Sequence, residues 1–106
     1  MDIVTIAVNL VLAHLIADYA FQPDFMAKAK NHTAPLPNVP WPTILASHAA
    51  IHAGLVYAVT GNAALASIEL AGHSAIDYAK CGGRISFNQD QAMHLIMKAG
   101  YVAWLW

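Results

Sequence analysis

Most of the histidines and acidic residues in this chain fall into pairs four residues apart. His14/Asp18, His48/His52, His73/Asp77 and Asp90/His94 are all i,i+4 steps inside apolar segments, and only His32 stands apart, in a polar stretch. On a helix, positions i and i+4 share one face, so each pair aims two donor groups in one direction. Imidazole with carboxylate, without thiolate, is the donor chemistry of zinc, iron or manganese. Helical bundles build sites for two ions from such residues on facing helices. Eight donors exceed what one tetrahedral ion needs. The expected cofactor is therefore a divalent transition metal, two ions, held by His14, Asp18, His48, His52, His73, Asp77, Asp90 and His94. A carboxylate left free of metal could take a proton from water, which makes Asp18, Asp77 and Asp90 the general-base candidates. Glu69, one turn from His73, and Tyr19, Tyr78, Gln22 and Gln91, close to the pairs, are expected to orient the ligands, with Glu69 also able to ligate. The competing reading is a set of buried His–Asp hydrogen bonds that satisfy one another.

The elements that carry these pairs have an unusual composition. Of 106 residues, 58% are hydrophobic and 10% charged, against about 25% charged in soluble domains. No Asp, Glu, Lys or Arg occurs from Asn31 to Ile68. A water-soluble bundle needs a charged exterior, and this chain cannot supply one. The composition predicts an integral membrane protein in which the lipid bilayer is the solvent. An ionisable group inside such a span costs about 2.5 kcal/mol or more, so it faces inward and marks function. A net charge of −1 gives no support to nucleic-acid binding. The single Cys81 excludes a disulfide framework and a thiolate metal site. Met1-Asp2-Ile3 lacks the basic start of a signal peptide, so the first segment is expected to be retained.

Residues 1–106 read as one domain, all-α: a four-transmembrane-helix bundle, up-down-up-down, with helices about 3–21, 42–60, 63–80 and 87–106. Each is about 18 to 20 residues, the length that spans ~30 Å of hydrocarbon. Gln22-Pro23 should end the first helix. Residues 23–41 form the connection, with a surface helix over 23–31 in which Phe25 and Met26 dip inward and Lys28 and Lys30 stay in water, followed by a proline-rich linker. Gly61-Asn62 predicts a tight turn, and Ser86-Phe-Asn-Gln89 a capping box. Ala49, Ala53, Gly54, Ala71, Gly72 and Ala75 are expected to let the helices approach closely. Lys28 and Lys30 lie in one connection, Lys80 and Arg84 in another. The positive-inside rule then puts both connections on the cytoplasmic side, and both termini and the Gly61-Asn62 turn on the other. All four pairs fall in the cytoplasmic half. The far half is expected to hold only Asn9, Glu69 and small polar groups.

The pairs also repeat. His14-xxx-Asp18-Tyr19 is followed by His48-xxx-His52, and His73-xxx-Asp77-Tyr78 by Asp90-xxx-His94. Each hairpin therefore reads HxxxDY then [HD]xxxH, which predicts a pseudo-two-fold axis along the membrane normal. These motifs, with Gln22, Lys30, Cys81 and Gln91, resemble the domain-of-unknown-function 3307 family of small bacterial and phage membrane proteins. The resemblance spans nearly the whole chain and implies a multi-helix protein of the bacterial inner membrane, with no activity attached.

Three functions follow from the residues. The first is a metal-dependent hydrolase acting on a lipid or lipid-linked substrate near the cytoplasmic face. The second is a non-catalytic structural or interaction protein, phage-encoded for example, in which the cluster stabilises the bundle, alone, as a homo-oligomer or with a protein partner. The third is ion or proton transport along the polar core.

Overall fold

The structure, a computed structural model, describes residues Met1–Trp106 and contains helices only. Helix α1 spans Ile3–Leu15 and continues without a break into a π-helical turn, Ile16–Ala20. Helix α2 is Asp24–Ala29, α3 Trp41–Thr60, α4 Ala63–Cys81 and α5 Phe87–Leu105. The ends are set by local chemistry. Asp2 Oδ1 accepts from the Thr5 N–H at 2.8 Å, closing the start of α1. Pro42 occupies the first turn of α3, where its missing N–H costs nothing. Gly61, at φ +65°, donates its N–H to the Tyr57 carbonyl, and Asn62 Oδ1 caps α4 through the Leu65 N–H. Ser86 and Gln89 form the expected reciprocal capping box, at 3.1 and 2.8 Å.

The four long helices close into a ring in the order α1, α3, α4, α5, each packed on the next. Hydrogen bonds across the ring fix its directions. The π-helical end of α1 meets the middle of α3 through Asp18 and His52, and the end of α1 meets the start of α5 through His14 and Gln91. The end of α4 meets the start of α5 through Asp77 and His94. Neighbours are therefore antiparallel, an up-down-up-down arrangement.

The distribution of polarity is inverted relative to a soluble bundle. Ten of the 21 buried residues are polar or charged, while Val4, Val8, Leu12, Ile16, Ile68 and Ile96 lie on the outside. Ile3–Ala20 and Trp41–Thr60 are long and apolar enough to cross a membrane. Helices α4 and α5 have the length but not the apolarity, because they carry Glu69, His73, Asp77, Asp90, His94 and Lys98 on their inward faces.

Two expectations change. Ala49, Ala53 and Gly72 pack as small interface residues, and a Cβ on Gly72 would overlap the end of Met97. Gly54, Ala71 and Ala75 face outward, and a Cβ on Gly54 would meet nothing within 4 Å. The connection after α1 also behaves differently. Lys30 is buried rather than left in water, while Phe25 and Lys28 are exposed. The connection instead folds over the end of α4. Thr33 Oγ1 donates to the Cys81 carbonyl, and His32 stacks on Tyr78 at 3.7 Å with Trp41 alongside. His32, which the sequence set apart, fastens that connection.

Candidate metal centre

The four pairs converge. Asp18 comes from the π-helical turn, which widens the helix where Asp18 points inward. Such turns recur at functional sites. Gln22 satisfies the Asp18 carbonyl with its side-chain amide at 3.2 Å. Asp18 Oδ1 then lies 2.8 Å from His52 Nε2 and 3.3 Å from His48 Nε2, and Asp18 Oδ2 is 3.3 Å from His14 Nε2. Across the ring, Asp77 Oδ1 lies 3.1 Å from His94 Nε2, and Asp90 Oδ1 lies 3.3 Å from that same nitrogen. Gln91 bridges the two halves, with its Oε1 3.0 Å from His14 Nε2 and its Nε2 donating to both Asp18 and Asp90. The eight residues of the four pairs thus lie close together, with Gln91 hydrogen-bonded to His14, Asp18 and Asp90 and Gln22 to the backbone carbonyl of Asp18.

The tyrosines do not join them. Tyr19 is 61% exposed and makes no hydrogen bond to the cluster, and Tyr78 is held by its stack on His32. A side chain one position past an inward Asp is rotated about 100° away on a helix, which explains both.

The donors fit a metal ion in a specific way. His48 Nε2 and His73 Nε2 are buried and have no hydrogen-bond partner. Each nevertheless lies 3.4 Å from the same atom, Asp77 Oδ2. Separations of 3.3–3.4 Å match the ~3.4 Å ligand–ligand edge of a tetrahedral ion with bonds of ~2.0–2.1 Å. Three groups have ligand atoms within 4.8 Å of one another: Asp18, His48, His52 and His73; Glu69, His73 and His94; and Asp77, Asp90 and His94. The shared members mean that these are overlapping positions, compatible with more than one ion. Glu69 Oε1 sits 3.1 Å from His73 Nδ1. If that nitrogen carries the proton, the lone pair of Nε2 is directed into the cluster, the usual means by which a carboxylate prepares an imidazole to ligate.

Two lysines complete the site, and the spacing argument gave them no place in it. Lys30 enters from the connection after α2 and donates to Asp77 Oδ2 at 2.7 Å. Lys98 donates to Glu69 Oε1, and Tyr101 to Glu69 Oε2 at 2.6 Å. Both lysines are buried. Lys98 was legible, because Asp90, His94 and Lys98 continue one four-residue step. Lys30 was not, since nothing near it in sequence announces Asp77. The far half of the bundle is thus not limited to Asn9 and Glu69. A polar column runs from Asp90 through His94 and Lys98 to Tyr101, where Leu10, Val56 and Leu65 close it. The other end opens into a cavity of about 220 Å³ lined by Asp18, Asp77, Asp90, Lys30, Lys80 and Gln91, with Tyr19 and Phe87 also on its wall.

With this geometry in place, comparison with known families gives one answer. The family described as Protein of unknown function (DUF3307) matches residues 6–103. The chain belongs to that family. No curated protein and no solved structure matches it. As a DUF3307 member, the chain inherits a family description but no activity, so the buried cluster itself is the evidence about function.

Proposed function

We propose that this DUF3307 protein is a four-span protein of the bacterial inner membrane that binds divalent transition-metal ions and hydrolyses a lipid-linked ester at its cytoplasmic face. The observation that carries the reading is the pair of buried, unpartnered Nε2 atoms of His48 and His73, both 3.4 Å from Asp77 Oδ2. Leaving such nitrogens without partners costs on the order of 1–3 kcal/mol each, a cost that ligation removes. The inverted polarity of the bundle supports a bilayer as its solvent. In that setting the charged faces of α4 and α5 are interior, so their lower apolarity does not oppose spanning. The basic residues Lys28, Lys80 and Arg84 at the cavity end support a cytoplasmic placement of that end.

Bound metal would act as a Lewis acid and lower the pKa of water. The chain's own residues supply the rest. Asp90 lines the cavity, and its only hydrogen bond within the cluster is from Gln91 to Oδ2, Oδ1 having none, so its carboxylate is the least engaged of the three and is placed to accept a proton from water. Asp18 and Asp77 are already engaged by histidines, Gln91 and Lys30. They are better suited to hold and orient than to take protons. The closed far end of the column favours chemistry on one side over conduction through the bundle.

Elemental analysis of protein purified without chelator is the deciding experiment. Stoichiometric zinc, iron or manganese, lost in His48→Ala and His73→Ala variants that retain helical circular dichroism, supports the site. Metal content near zero would reject it. A purely structural role is the second reading, favoured by Lys30–Asp77 tying the connection to α4. It predicts that chelator unfolds the protein and that hydrolysis of lipid-linked esters is never detected.

A further inference from the structure

The cavity at the open end has a composition that bears on the substrate. Its floor is Asp18, Asp77 and Asp90, and its wall includes Lys30 and Lys80. Lys30 is committed to Asp77. Lys80 has no carboxylate partner; its Nζ rests 5.5 Å from the Phe87 ring centroid. At about 220 Å³ the cavity is smaller than the ~300–1,000 Å³ that encloses a drug-sized ligand. It can hold a small polar head and not a whole lipid. Tyr19 and Phe87, 61% and 53% exposed, flank it on the outer surface, where an apolar tail would lie.

Charge narrows the choice of head. The interior holds four carboxylates, Asp18, Glu69, Asp77 and Asp90, and two ammonium groups, Lys30 and Lys98. With imidazoles neutral, and Lys80 left out because it is partly exposed at the cavity mouth, that is 2 − 4 = −2. One divalent ion brings the interior to zero, and two bring it to +2. Uncompensated buried charge is strongly disfavoured, so a second ion requires two further negative charges. A neutral carboxylic ester cannot supply them, and a phosphomonoester dianion can.

We propose that this cavity is a phosphoryl-binding site in which Lys80 holds the anion, and that the substrate is a phosphomonoester carried on an apolar alcohol. The proposal rests on the metal-binding reading above and assigns its substrate class. In the reaction, the oxygen of water forms a new P–O bond and the ester P–O bond breaks. A proton passes from water to the Asp90 carboxylate and on to the departing alcohol oxygen, leaving inorganic phosphate and the alcohol.

The test uses the full chain in detergent micelles with Mn(II) and inorganic phosphate, followed by equilibrium dialysis and by the ³¹P line width of the phosphate. Bound Mn(II) should rise from roughly one ion per chain to roughly two when phosphate is added, by the charge balance above. The ³¹P line should broaden beyond that of a matched free Mn(II) solution. Lys80→Ala should weaken phosphate binding roughly tenfold, the loss of one charge-assisted bond, with Mn(II) content in the absence of phosphate unchanged. Lys80→Arg should restore it. Dodecyl phosphate should bind more tightly than inorganic phosphate, and equal affinity would overturn the assignment to a lipid. If Mn(II) binds but phosphate changes neither its stoichiometry nor the line width, the phosphoryl site is rejected and the metal centre stands. If no Mn(II) binds at all, both are rejected.

Discussion

Asp77 Oδ2 meets three groups at once: Lys30 Nζ at 2.7 Å and the Nε2 atoms of His48 and His73 at 3.4 Å. Its substitution should therefore act beyond one contact. Asp77→Asn keeps the shape but leaves Lys30 buried without a counter-charge. We expect about 3–5 kcal/mol of lost stability, measured by thermal unfolding in detergent, with Lys30→Met in the same background recovering most of it. Glu69 and Lys98 form a second such pair. Either Glu69→Leu or Lys98→Met alone should destabilise by a similar amount, while the double variant should lose clearly less than the sum of the two, the remainder coming from the buried Tyr101 hydroxyl and His73 Nδ1 that Glu69 no longer meets. The internal repeat gives a precedent for the double variant: one turn beyond His14 and His52, the first hairpin carries Leu10 and Val56 where the second carries Glu69 and Lys98. At the solvent end, the Thr5 N–H hydrogen bond holds the Asp2 carboxyl below its ordinary pKa. The capping contribution of Asp2 is thus full above the carboxylate range and lost as pH falls through it. The Thr5 amide proton shift should report that titration by NMR and stay flat in Asp2→Asn. Residues that repeat with a helical step could be found from the sequence. Lys30 could not, because its partner lies 47 positions away and local amphipathicity argued for water.

The helices were legible where their ends carry local chemistry. Gly61-Asn62 and the Ser86–Gln89 box placed three boundaries to within a residue or two, because αL turns and side-chain caps are short-range interactions. Ser86→Ala should cost about 1 kcal/mol. It should also loosen the first turn of α5, where Asp90 sits, so metal affinity should fall along with melting temperature in a calorimetric titration. The π-helical turn at Ile16–Ala20 had no such signature. Its wider winding follows from the packing of Asp18 among His48, His52 and Gln91, which only the assembled ring supplies. The stack of His32 on Tyr78 was hidden for the same reason. A polar histidine next to a proline-rich stretch reads as solvated until α4 is there to receive it.

For the whole molecule, the ring order of the helices and the burial of the charged residues are one fact. Each long helix turns its ionisable residues to the axis and its Val, Leu and Ile outward, so the bundle has its polar phase inside. A ligand that binds only this folded state stabilises it by about 2.7 kcal/mol at a hundredfold excess over its dissociation constant. Chelator should lower the melting temperature, and Mn(II) or Zn(II) should restore it. Under the four-span reading proposed above, the Glu69–Lys98 pair carries a further consequence, for how the chain reaches a bilayer. Glu69 belongs to α4 and Lys98 to α5. Neither helix offers the other's charge a substitute, since Leu10, Val56 and Leu65 surround the end of that column. During synthesis α4 would therefore have to wait at the translocation channel until α5 emerges, so that the two enter lipid as a neutralised hairpin. Chains truncated after Arg84 should show α4 extractable by alkaline carbonate, and extension past Lys98 should make it resistant.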